Sequence, residues 1–246
     1  MTDPIRQLLN DGKPSVGSWL NLASPLAAEV MASAGYPWLV VDAEHAAFDM
    51  TLIADTFRAI EAHDAVPLVR SWDHDPVTIG RLLDAGAWGI VFPHVSNPEQ
   101  GEALARAMRY PPAGSRSMGT GRSSLIPDYR QQANDRVLCI PQIEDMEGIE
   151  KAEAIAAIDG VDIGFLGPND LALSMGLAAG HPDHEAALQQ FLEGCQRAGT
   201  PCGIPVANAE EARKRIDQGF QFIDLGNDLR FLQKTATQAL IDATGT

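Results

Sequence analysis

The chain is short of positive charge: 18 Lys and Arg face 33 Asp and Glu, a formal net charge of −15. No basic cluster interrupts that field, so a nucleic-acid partner is excluded. Long hydrophobic runs are missing too. None approaches the ~20 apolar residues of a membrane helix. The start, "MTDPIRQLLN", has neither the basic beginning nor the apolar stretch of a signal peptide. Cysteine is scarce: Cys139, Cys195 and Cys202 are odd in number and form no CxxC. Reduced thiols in a cytoplasmic protein are therefore expected, with no membrane partner. No GxGxxG follows the first apolar run, and there is no P-loop and no nucleophile elbow. Lys13, Lys151, Lys214 and Lys234 all fall in loops or helices, which argues against a Schiff-base lysine. Without repeats, low-complexity tracts or a linker, residues 1–246 read as one domain.

What is present is an alternation. Strand-length apolar runs stand near Val16–Leu20, Trp38–Asp42, Pro67–Arg70, Gly89–Phe92, Leu138–Glu144, Val161–Leu166, Cys202–Val206 and Phe222–Leu225. Helical periodicity follows each, near Pro25–Ala34, Thr51–His63, Pro76–Ala85, Pro98–Arg109, Met146–Ala157, Glu185–Ala198, Ala209–Gln218 and Asp228–Ala243. Parallel strands need helical crossovers, and eight units of this size close a (β/α)8 TIM barrel. An open doubly wound sheet is the alternative, disfavoured by the missing GxGxxG. The stretch from Tyr110 to Asp135 is long for a connection, as lids and partly disordered loops are; Tyr129–Asn134 within it suits a short helix.

Barrel enzymes work at the C-terminal ends of their strands. Here the second strand ends on Asp42, Glu44 and His45, the third on Arg70, the fifth on Gln142 and Glu144, and the sixth runs into Asn169 and Asp170. The seventh and eighth offer little beyond Asn208, Asp224 and Asn227. Gln142 and Glu144, two apart, share a strand face. Two carboxylates, Glu144 and Asp170, with no histidine or cysteine beside them suit a hard divalent cation, Mg2+ or Mn2+. The competing reading pairs Glu144 with a lysine or a helix start and makes Asp170 a helix cap. The fork of Arg70 suits a substrate carboxylate or, equally, a salt bridge to Asp42 or Glu44. His45 is either structural or, beside a metal and an arginine, a general base. Of the other five histidines, read as loop or surface residues, only His94 lies where it would approach the mouth.

The motifs "WLVVDAEHAAFD", "VPLVR", "LLDAGAWGIVFPHV", "YPPAGSRSMG", "PQIEDMEGI" and "GFLGPNDLALSMG" together resemble the HpcH/HpaI aldolase family of metal-dependent class II pyruvate aldolases, in order from about Val16 to Gly226. The resemblance implies a barrel of the phosphoenolpyruvate/pyruvate type and a homo-oligomer of trimer or hexamer size. The reaction it implies makes or cleaves 4-hydroxy-2-oxoacids, using a pyruvate or hydroxypyruvate enolate and an aldehyde. At matching positions, Glu144 and Asp170 would ligate the metal (Mg2+ or Mn2+, with Co2+ or Ni2+ as further options). Gln142 would bind the ketoacid, helped by backbone at Gly167, Pro168 and Asn169. Arg70 would stabilise enolate charge. His45 would be the base, Asp84 of a neighbouring subunit would raise its basicity, and Asp42 would support the site. Three features depart from the family pattern: Ala47 where proline is usual, Asn169 where a small residue is usual, and a shorter Ser115–Asn134 segment. Two rivals are an acyl-CoA lyase of the citrate lyase branch, which would want a basic cluster for CoA phosphates, and a non-catalytic oxyacid-binding barrel.

Overall fold

The computed structural model describes residues 4–245. Eight parallel strands close in sequence order: β1 (Ser15–Leu20), β2 (Trp38–Asp42), β3 (Val66–Arg70), β4 (Gly89–Phe92), β5 (Leu138–Ile143), β6 (Gly164–Leu166), β7 (Cys202–Val206) and β8 (Phe222–Asn227). The last pairs with the first, Gly17 against Asp224. Around them run α1 (Pro4–Asn10), α2 (Pro25–Ser33), α3 (Met50–Glu61), α4 (Pro76–Ala85), α5 (Pro98–Met108), α6 (Tyr129–Arg136), α7 (Met146–Glu150), α8 (Ala152–Ala156), α9 (Pro168–Ser174), α10 (Pro182–Ala198), α11 (Ala209–Gln218) and α12 (Asp228–Thr244). This is the (β/α)8 barrel the alternation implied. Among the described residues no helix is long and apolar enough to cross a membrane.

The strands are apolar throughout because both their faces are covered. β2 shows the rule: all five residues are buried. Trp38 and Val40 join Leu68, Val91, Ile140, Phe165 and Phe222 in the cluster inside the ring, while Leu39 and Val41 pack outward among helix residues such as Ile53 and Phe57. Because side chains alternate along a strand, the next inward position after Trp38 and Val40 is Asp42. The same count puts Arg70 above Leu68, Gln142 above Ile140 and Asp224 above Phe222. The polar groups at the strand ends thus form the top layer of an otherwise apolar interior. Trp38 stacks on Phe222 at 3.9 Å between ring centroids, and Gly17 makes room for it: a Cβ there would sit 2.1 Å from the indole.

Helix starts follow the expected signals. Ser24, Asp49, Asp75, Asn97, Asn208 and Asn227 each accept a backbone N–H at an N-cap. Some elements differ from expectation, whereas α6 stands where a short helix was expected. The amphipathic α1 was not anticipated; Ile5 and Leu9 join the interior cluster and close the end of the barrel where strands begin. The helix expected over Met146–Ala157 breaks at Lys151 into α7 and α8. The stretch from Tyr110 to Asp135 carries a 3-10 turn, Arg122–Leu125, and α6, and is pinned by Arg116, whose buried guanidinium lies over Tyr110 and Tyr129 and donates to the Tyr129 hydroxyl. Cys139, Cys195 and Cys202 are free and buried.

Candidate active site

The strand register sets Asp42 directly beside Arg70. Arg70 donates from Nε (2.9 Å) and Nη2 (2.7 Å) to the two oxygens of Asp42, and Nη1 lies 3.1 Å from Glu44. Asp42, 1% exposed, also accepts from Asn21 Nδ2 (2.7 Å) and the His45 backbone N–H (3.2 Å). Burial alone would lower the Arg70 pKa. The hydrogen bonds and charge of Asp42, with Glu44 and Glu144 nearby, outweigh it, so the net shift is upward. The guanidinium, 5.5 Å above the Trp19 ring, is a cation fixed in orientation and permanently charged. Of the two readings of Arg70, the structure shows the salt bridge: its fork is engaged by Asp42 and Glu44, and its side chain lines the cavity.

Two strands away stands a buried carboxylate. Glu144, 5% exposed, follows directly on β5; Gln142 Nε2 donates to its Oε1. Its other oxygen accepts the His94 backbone N–H at 3.0 Å. Gly167 is required here: a Cβ would lie 2.5 Å from Glu144 Oε1. Burial pushes the Glu144 pKa up; the His94 N–H and ring oppose this, while Asp170 and Glu44 add to it. Asp170 sits in the first turn of α9, whose N-cap is Gly167, without a side-chain cap bond. The helix-cap reading of Asp170 is thus removed, and so is the lysine reading of Glu144, whose contacts are Gln142 and His94. Gln142 Oε1 is buried with no hydrogen-bond partner among the described residues. Clustered carboxylates exceeding the local positive charge, plus an orphaned amide oxygen, form a set of hard oxygen donors that fits a divalent cation.

His45 lines the mouth with its ring exposed, 3.7 Å from Glu44. Asp84 is not with it. It lies in the last turn of α4, and helices of this fold end at the face opposite the mouth, so within one chain Asp84 cannot reach His45. Its carboxylate pairs with Arg116 Nη2 at 2.7 Å and meets Ser123 Oγ at 3.4 Å. Asn169 is exposed and Pro168 half-buried, both on the cavity wall.

Two histidines were undervalued by the sequence. His94 takes a left-handed backbone (φ 57°), which folds its ring back between two acids: Nδ1 is 3.0 Å from Glu144 and Nε2 3.2 Å from Glu44. His184 is no surface residue: it is 2% exposed. Its Nδ1 accepts the Gly180 N–H (3.3 Å), so Nε2 donates to the Pro168 carbonyl (2.8 Å) and fixes the start of α9 that carries Asp170. The cavity, about 960 Å³, runs from Gln142 and Asp170 across the Trp19–Phe165 floor to Asp224 and Asn227. At the β8 end Asp228 accepts the backbone N–H groups of Asn21 and Leu22 (2.7 and 3.2 Å).

A closed barrel with an acid pair, an oriented arginine and an exposed histidine at its mouth is the layout of a barrel enzyme acting on small oxyacids, and the comparisons place it among the lyases. Residues 15–234 match the model of the HpcH/HpaI aldolase/citrate lyase family, and the chain belongs to that family. It is 37% identical over 243 residues to a 4-hydroxy-2-oxo-heptane-1,7-dioate aldolase of Klebsiella pneumoniae, covering 96% of this chain and 92% of that one. Among solved structures, an HpcH/HpaI aldolase/citrate lyase family protein from Burkholderia cenocepacia superposes with a TM-score of 0.94 at 37% identity, covering 98% and 99% of the two chains. The citrate synthase SbnG is similar with a TM-score of 0.89 at 30% identity, over 98% and 97%.

Proposed function

We propose that this chain, working as a single barrel domain, is a class II aldolase that makes or cleaves 4-hydroxy-2-oxoacids. The observation that carries the reading is Asp170, Gln142 and the Asp42-locked Arg70 lining one cavity, with Glu144 bonded to Gln142 and close enough to Asp170 to feel its charge. The aldolase relatives support it. Glu144 and Asp170 would hold a divalent ion, Mg2+ or Mn2+, with Co2+ or Ni2+ as further options. When bound, that ion supplies Lewis acidity that lowers the cost of negative charge on the ketoacid.

The protein's own residues do the rest. Gln142 and the backbone at Gly167–Asn169 position pyruvate or hydroxypyruvate. Arg70 places fixed positive charge where the enolate develops; Asp42 and Asn21 keep it from reorienting, so no reorganisation is needed during the step. In cleavage His45 takes the proton from the 4-hydroxyl, the C3–C4 bond breaks, its electron pair becomes the enolate, and an aldehyde leaves. Synthesis is the reverse.

The working form is a homo-oligomer of trimer or hexamer size. Asp84 reaches the mouth only from another copy, and α12 has a bare apolar stripe: Leu229, Leu232 and Leu240 are 47%, 59% and 64% exposed. Three free thiols and an acidic surface agree with a cytoplasmic location. The test is aldol cleavage of a 4-hydroxy-2-oxoacid with Mn2+ supplied, followed as ketoacid release; no release, and no exchange of pyruvate C3 protons with D2O, would leave only an oxyacid-binding barrel.

A further inference from the structure

Asp224 has no part in the mechanism above. It is the inward residue of β8 one layer above Phe222, level with Gly17 of β1 and Pro205 of β7. It is 6% exposed, and its Oδ1 has no hydrogen-bond partner among the described residues. A buried polar atom left unsatisfied is costly, so such a group is either a defect or half of a contact completed by something else. Asp224 lines the same cavity as Gln142 and Asp170. In the closed ring β8 stands three strands from β5. A ketoacid and aldehyde that fill this cavity meet the β7–β8–β1 wall as one of its sides. That wall is apolar at Trp19 and Pro205 and polar at Asp224.

We propose that Asp224 hydrogen-bonds a hydroxyl group of the substrate, so that the site selects hydroxylated reactants over their deoxy analogues. The proposal rests on the aldol reading and names the substrate class of that site. A methyl group in this position would leave the carboxyl unpaired, whereas a hydroxyl can both donate to it and accept from it. Burial holds Asp224 toward its protonated form, and the nearby Arg70 and Arg230 oppose that only in part while Asp42 adds to it. A carboxyl with one unpartnered buried oxygen is completed by a hydroxyl, which can donate to it. The hydroxyl has two sources: the donor carbon that forms the new bond, as in hydroxypyruvate, or the carbon beside the aldehyde, as in glycolaldehyde.

The experiment measures aldol addition with Mn2+ present for four pairs: pyruvate or hydroxypyruvate with acetaldehyde or glycolaldehyde. The readout is the ratio of kcat/KM for hydroxylated over deoxy reactant, measured within each protein so that the folded fraction cancels. Wild type should favour the hydroxylated reactant in one arm by roughly 10- to 100-fold. Asp224→Ala and Asp224→Val should bring that ratio near one, and Asp224→Asn, which keeps the shape and a hydrogen bond, should retain part of it. A ratio that changes in the donor arm assigns the hydroxyl to the ketoacid; one that changes in the other arm assigns it to the aldehyde. Ratios equal in wild type and all variants, in an active enzyme, overturn the proposal alone and leave Asp224 holding only ordered water. A wild type inactive on all four pairs overturns the aldol reading and this proposal with it.

Discussion

Replacing Arg70 with lysine keeps the charge and removes the fork. In the wild type two nitrogens of one rigid plane engage both oxygens of Asp42 at 2.9 and 2.7 Å, and a third faces Glu44 at 3.1 Å. A lysine nitrogen is a single point and can satisfy one of these oxygens well. Asp42 keeps Asn21 and the His45 N–H, so the buried carboxylate is not orphaned. The folding cost is then one charge-assisted hydrogen bond, about 1.5–3 kcal/mol, which a barrel domain survives. The catalytic cost is larger, because an ammonium free to rotate no longer presents preorganised donors to the developing charge. Losing one such donor is worth roughly 2.7–4 kcal/mol, on the order of 100- to 1000-fold in kcat. Urea unfolding gives the first quantity, and steady-state cleavage with kcat and KM separated gives the second. A folded Arg70→Lys protein within a factor of two of wild type in kcat would refute the reasoning and leave Arg70 as a structural partner of Asp42.

Three further outcomes are expected. His45→Gln should still bind ketoacid while cleavage falls about 100- to 10,000-fold, and pyruvate C3 exchange in D2O should slow with it; rates near wild type would make His45 structural. Asp224 is held above its ordinary carboxylate pKa by burial. Its contribution is therefore complete below an unfolded value near ~3.9 and is lost as pH rises toward the elevated folded value. Asp224→Asn, which cannot ionise, should gain stability relative to wild type as pH rises above ~3.9 in urea melts, and a pH-independent difference would contradict this. Placing Asp at both Leu232 and Leu240 on the bare stripe of α12 should shift light scattering from an oligomer toward a monomer; an unchanged oligomer means that another face assembles.

How far the sequence carried this reading depended on the period of its strands. Alternation along β2, β3 and β5 was enough to put Asp42, Arg70, Gln142 and Glu144 on one surface, because a strand buried on both faces leaves a polar residue only where the interior opens. Asp224 obeys the same count, yet "FIDLGND" gives no sign that its carboxyl is unpaired; that requires knowing what surrounds it. His94 was misjudged because its role depends on a left-handed backbone that the sequence "FPHV" does not announce. His184 lies far from the mouth in sequence and meets Pro168 only through packing of α10. Asp84 is the opposite case. Its position in a helix's last turn was legible, and it already implied that the residue belongs to the far face of its own barrel. The long connection after α5 looked irregular because its order comes from Arg116 between two tyrosines, a tertiary contact with no local signature.

The most direct measurement is cleavage of a 4-hydroxy-2-oxoacid by enzyme stripped with EDTA, then titrated with Mn2+ while bound and free ion are read by electron paramagnetic resonance. Glu144 and Asp170 as the ion's ligands predict negligible cleavage before addition and recovery in step with Mn2+ binding. They also predict at least a tenfold weaker Mn2+ affinity in Glu144→Gln, since one of two charged donors is gone. Full cleavage by the stripped enzyme, or an unchanged affinity in Glu144→Gln, would contradict the account.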